Sequence, residues 1–126
     1  MAHIVLVEDE PWLGELYRRL LQTVGHNVVW CRDGYEAIDA IDAHPPALIV
    51  LDLLLPWANG IQLLHELRAY KDLAEIPVIV CSNALPNQSG RIALKSYGVV
   101  GLFDKAIDKP RTLVQLVNEA THHAEF

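Results

Sequence analysis

Five short apolar runs recur along the chain: HIVLV (3–7), NVVWC (27–31), ALIVL (47–51), PVIVC (77–81) and VVGLF (99–103). Runs of this length rich in Val, Ile and Leu predict strands, and the continuously apolar ones suit strands covered on both faces. Between them the period changes. Leu13, Leu16, Tyr17, Leu20, Leu21 and Val24 recur at the spacing of one helical stripe, and Gly25 supplies its stop. Ile61, Leu64 and Leu67 predict a further stripe, and Leu113, Leu116, Val117 and Ala120 the last one. Strict alternation of strand and helix predicts a parallel sheet with helices on both faces, a five-stranded doubly wound α/β fold.

The length of 126 residues suits one domain over 1–126, large enough to build a core without metal or disulfide staples. No apolar run reaches the roughly 18 residues of a membrane span, and MAHIVLVEDE lacks the basic start and cleavage site of a secretion signal. The net charge of −6, with scattered basic residues, argues against this domain holding nucleic acid by itself. Cys31 and Cys81 each close an apolar run, as small buried thiols do, so a reducing, cytoplasmic setting is expected.

In open α/β sheets, sites form beyond the carboxyl ends of the strands, near the point where the winding reverses. Glu8, Asp9 and Glu10 follow the first run, Asp52 the third, Ser82 and Asn83 the fourth, and Asp104 and Lys105 the fifth. Each residue alone is ordinary loop chemistry; their joint placement at strand ends is not. Converging carboxylates repel, and a hard cation such as Mg²⁺ relieves them. An ammonium and a hydroxyl beside them suit the charge on a transferring phosphoryl group, with one carboxylate as nucleophile.

In this order, the segments resemble the receiver domain of two-component response regulators over essentially the whole chain. The opening acidic pair falls on Glu8 and Asp9, and LIVLDLLLPWANG is similar to the phosphoacceptor segment, with Pro56 and Gly60 in place. PVIVCSNA resembles the hydroxyl segment, and ALKSYGVVGLFDK, through Gly98 and Gly101, the approach to the lysine. The resemblance implies a flavodoxin-like sheet of order 2-1-3-4-5 with five helices. It implies that Asp52 accepts a phosphoryl group from a phosphohistidine of a sensor histidine kinase or histidine phosphotransfer protein. Mg²⁺ would be held by Asp9, Asp52 and the backbone carbonyl of Leu54, with Glu8 acting through water. Ser82, Lys105 and the backbone at Asn83 and Leu54 would hold phosphoryl oxygens. A downstream protein is the implied target, and the face of the fourth helix, fifth strand and fifth helix is the candidate homodimer surface.

Several positions depart from that pattern. Ala106 replaces the proline that usually follows the lysine through a cis bond, so the peptide is either strained or trans. A rival register at DKP (108–110) names Lys109, but it loses both glycine matches. Leu102 stands where the family carries a switch aromatic, and neighbouring Phe103 should face the other side of the sheet. Leu54 either packs or restricts water near the acceptor. Trp12 and Trp57 belong to the expected rim, while Trp30 suits a structural role. A single-domain regulator, not an enzyme beyond its own phosphorylation and dephosphorylation, is the leading expectation. The alternatives are a receiver from a larger DNA-binding regulator or hybrid kinase, and a Mg²⁺-dependent aspartyl-phosphate hydrolase. The hydrolase would need a second acid where Leu54 stands. A flavin or nucleotide binder would be repelled by EDEPW after the first strand.

Overall fold

A computed structural model of the chain describes residues 2–53, 60–70, 72–83 and 85–124, apart from the side chains of 123 and 124. Strand and helix alternate as β1 (His3–Val7), α1 (Pro11–Thr23), β2 (Asn27–Cys31), α2 (Gly34–Ala43), β3 (Leu48–Leu51), α3 (Gly60–Ala69), β4 (Val78–Ser82), α4 (Gln88–Ser96), β5 (Val99–Asp104) and α5 (Pro110–Ala124). All pairings are parallel and the order is β2-β1-β3-β4-β5. The winding therefore reverses between β1 and β3, and the carboxyl ends of those two strands flank the crevice.

Local chemistry sets the helix ends. Pro11 opens α1 with a backbone angle already suited to a helix, and the Glu10 carboxylate accepts from the amides of Trp12 and Leu13 at 3.2 and 2.6 Å. Gly25, at φ +98°, turns the chain out of that helix. Asp33 caps α2 through the Glu36 amide at 2.9 Å, and the Glu36 carboxylate reaches back to the Arg32 amide at 2.7 Å.

Alternation along the strands divides the core into two layers. Val5, Val7, Ile49, Leu51, Val78 and Val80 pack with Ala37, Ile41, Leu64, Leu67 and Leu94 on one face. On the other, Ile4, Leu6, Val50, Ile79 and Phe103 meet Tyr17, Leu21, Leu113 and Val117. Each large side chain so buried contributes about 1.5–3 kcal/mol, which is why the sheet's two faces dominate the stability. Phe103 is buried edge-on to Tyr17, ring centroids 5.9 Å apart, whereas Leu102 packs in the opposite layer. Cys31 and Cys81 are buried and free, and burial pushes their thiols up to about 11 and 12.

The stripe expected from Ile61, Leu64 and Leu67 needs correction at its first member. Ile61 is exposed, and Gly60, Leu63, Leu64 and Leu67 form the buried face. With α3 starting at Gly60, positions 60, 63, 64 and 67 share a side of the helix and 61 turns outward.

Arg68, in the last turn of α3, ties three segments together. Its Nε donates to Tyr97 O at 2.5 Å, Nη1 to Leu73 O at 3.0 Å and Nη2 to Ile76 O at 3.0 Å. The Tyr97 hydroxyl also meets the His65 ring at 2.9 Å, so α3 holds the carboxyl end of α4 twice. Gly98, at φ +83°, passes against that guanidinium, where a Cβ would collide with it.

Candidate functional site

Backbone pairing at the strand ends assembles the site. The Glu8 amide donates to Cys31 O and the Asp52 amide to Val7 O, both at 3.0 Å, which brings Asp52 beside the acidic loop after β1. On the other side, the Lys105 amide donates to Ser82 O at 3.1 Å, locking the end of β5 to the end of β4. The turn beyond is closed locally. Asp104 N donates to Asp108 Oδ2 at 2.8 Å, and Ala106 N to Asp104 Oδ1 at 2.9 Å. The Lys105–Ala106 peptide is trans, and the lysine still enters the crevice.

There its Nζ donates to Asp52 Oδ2 at 2.9 Å and forms a second, shorter ion pair with Glu8 Oε1. The three side chains are 6% exposed or less, so this is a buried triad with one cation and two carboxylates. Asp9, half-buried, completes an acidic group: Glu8, Asp9 and Asp52 each offer an oxygen within 4.8 Å of the others'. Burial pushes the Glu8 carboxyl up to about 7 against the pull of the Lys105 ammonium, and the nearby Asp52 charge adds to the rise. Burial alone would lower the Lys105 pKa, but its hydrogen bonds to Glu8 and Asp52 outweigh that and hold it above its ordinary value.

The structure thus brings Glu8, Asp9, Asp52 and Lys105 together, with Ser82 fully buried at the end of β4 and Asn83 exposed just beyond it. Lys109 is exposed, immediately before α5, and forms no part of the triad. Leu54, Pro56 and Trp57 lie outside the described residues. Trp12 is 72% exposed on the first turn of α1. Two contacts go beyond the residues expected from sequence. The Trp30 indole donates to Glu8 O at 2.9 Å, and burial pushes the pKa of Tyr17, edge-on to Phe103, well up, with the nearby Glu8 and Asp52 charges adding to the rise. The glycine at position 14, inside the apolar stripe of α1, is the one sequence signal that could have pointed to the Trp30 contact.

A family model for the response regulator receiver domain matches residues 4–118. The chain belongs to that family. This receiver is 32% identical over 109 residues to the polar-differentiation response regulator DivK of Brucella ovis, an alignment covering 86% of this chain and 87% of the relative. Among solved structures, it resembles the signal receiver domain of a signal transduction histidine kinase from Syntrophus aciditrophicus. That likeness has 28% identity and a TM-score of 0.82, and covers 95% of this chain and 89% of the other. The chemotaxis protein CheY4 of Vibrio cholerae shares the fold at a TM-score of 0.86 and 21% identity, covering 95% and 98% of the two chains. The receiver fold and the strand order 2-1-3-4-5 expected from the sequence are both present. No helix among the described residues is long and apolar enough to cross a membrane.

Proposed function

We propose that Asp52 is the phosphoacceptor of this receiver, with Mg²⁺ as cofactor and a phosphohistidine as donor. The observation that carries this is the buried Glu8–Lys105–Asp52 triad with Asp9 beside it. In the transfer, an Asp52 carboxylate oxygen forms a bond to phosphorus as the donor's P–N bond breaks, and the electron pair leaves with the imidazole. Lys105 Nζ, already bonded to Asp52 Oδ2, is placed to hold a phosphoryl oxygen as charge shifts onto it. Ser82 and the Asn83 amide are the further donors assigned to the phosphoryl group.

The three-carboxylate oxygen set fits a hard divalent cation. Asp9 and Asp52 would hold it directly, Glu8 through water, with Leu54 contributing its backbone carbonyl. When bound, Mg²⁺ neutralises charge on the carboxylates and the phosphoryl oxygens.

The chain's role is signalling: it catalyses only its own phosphorylation and dephosphorylation, in the cytoplasm, and its phosphorylated form changes its contacts with a downstream protein. A sensor histidine kinase or histidine phosphotransfer protein supplies the phosphoryl group. Action as a single-domain regulator is supported by the match to 87% of the length of DivK. Incubation with Mg²⁺ and a small acyl-phosphate donor, read by intact mass, should add one phosphoryl group, and omitting Mg²⁺ should prevent it. A chain that stays unmodified with the cation present would overturn this function.

Asp9 gives a second check. Asp9→Ala relieves carboxylate repulsion in the metal-free protein, so it should stabilise it by a few tenths to about 2 kcal/mol. Mg²⁺ should then raise the melting temperature of the wild type and do little for the variant. Thermal unfolding in EDTA and in excess Mg²⁺, at constant ionic strength, measures both. Equal stabilisation of the two proteins by Mg²⁺ would place the cation elsewhere.

A further inference from the structure

Residue 14 is a buried glycine inside α1, in a helix interior that ordinarily disfavours glycine. The reason lies on β2. The Trp30 ring fills the notch at Gly14, and a Cβ there would overlap Cε2, Cζ2 and Nε1 of the indole. Seated in that notch, the indole Nε1–H donates to the backbone carbonyl of Glu8 at 2.9 Å. The amide of the same residue donates to Cys31 O, the neighbour of Trp30, at 3.0 Å. Strand β2 therefore grips Glu8 by both its backbone polar groups.

The carbonyl of Glu8 and the amide of Asp9 share one rigid peptide plane. Whatever orients that carbonyl also orients the start of Asp9, the half-buried member of the acidic group. We propose that Trp30 is a positioning residue for the cation site, its indole N–H fixing the Glu8–Asp9 peptide so that the Asp9 carboxylate faces Asp52. The proposal rests on the metal-dependent function above. It explains a large aromatic on an edge strand and a glycine opposite it as two halves of one device. Partners outside the ligand shell commonly change metal affinity about 10- to 100-fold when lost, and a bond to a neutral carbonyl belongs at the lower end.

Trp30→Phe keeps a ring in the notch and removes the donor. The urea midpoint of the metal-free variant should stay close to that of the wild type, while calorimetry should show Mg²⁺ binding about 10-fold weaker. Amide resonances of Glu8 and Asp9 should shift in the metal-free variant, a change that looser packing around the smaller ring alone would spread along α1 instead. Wild-type protein provides a reading that needs no variant: on adding Mg²⁺ the Trp30 indole N–H resonance should move, and that of exposed Trp12 should move less. Mg²⁺ affinity in Trp30→Phe equal to wild type, or an indole signal that ignores Mg²⁺ in a wild type that binds it, would overturn the proposal. A wild type that does not bind Mg²⁺ at all would instead overturn the metal-dependent function, and this proposal with it.

Discussion

Lys105→Ala should cost the unphosphorylated protein about 3–5 kcal/mol near neutral pH, the usual penalty for deleting one partner of a buried ion pair. The ammonium is the cation shared by Glu8 and Asp52, and all three side chains are nearly out of solvent. Removing it leaves two buried carboxylates facing each other, with Asp9 close by. The loss should depend on pH with a definite sign. Glu8 titrates at about 7 in the folded chain and at its ordinary 4.5 when unfolded, so between those values the native state holds a proton that the unfolded chain has released. Its contribution to stability is complete below 4.5 and is lost as pH rises through about 7. Without Lys105 to pull that pKa down, the same protonation persists to higher pH. The variant should therefore recover much of its deficit in acid. Urea unfolding at about pH 5 and about pH 8 tests this, with Lys109→Ala as the control expected to stay within about 0.5 kcal/mol of wild type. A Lys105→Ala protein as stable as wild type at the higher pH would show that the triad does not hold the crevice together.

Asp52→Asn should have the opposite profile: phosphoryl incorporation from an acyl-phosphate donor falls to background while the metal-free fold gains stability. The amide cannot act as the nucleophile, because its nitrogen lone pair is delocalised and its oxygen carries no full charge. Stability rises because one cation then faces one buried carboxylate, and the excess negative charge at the end of β3 is gone; a gain of a few tenths to about 2 kcal/mol is the expected size. Intact-mass measurement and urea unfolding on the same preparation report both quantities. Undiminished phosphorylation of the variant would remove Asp52 as the acceptor. A variant clearly less stable than wild type would mean that the carboxylate is stabilised by its surroundings and not strained by them.

Much of this architecture was legible from residue order because the strands are nearly pure Val, Ile and Leu. The first two strand runs coincide with β1 and β2, and the others fall within a residue of β3, β4 and β5. Such runs have no other stable home in a chain of this size than a sheet covered on both faces. Ile61 shows the limit. A helical stripe read from large apolar residues ignores a glycine, yet Gly60 lies on the buried side of α3 and sets its phase. Strand-end placement put Lys105 on the same rim as Glu8 and Asp52, but no local rule says that a trans turn at Ala106 delivers its ammonium between the two carboxylates. The grip of Trp30 on Glu8 joins residues 22 apart, and it needs both the pairing of β1 with β2 and the seating of the indole against α1. Contacts between elements follow from the fold; they are not written in the period of either element.

Arg68 has a mechanical consequence. Its bond to Tyr97 O, reinforced by the His65–Tyr97 contact, pins the carboxyl end of α4 to α3. A helix pinned at one end can swing only as a lever about that end, and its travel grows with distance from the hinge. The nine residues of α4 make an arm of roughly 13 Å, so a tilt of about 10° carries the free end roughly 2 Å while Tyr97 stays in place. That free end begins at Gln88, only a few residues after Ser82 and Asn83. A displacement entering at Ser82 would push the lever where it moves most, and the amplification needs no ring to rotate at Leu102.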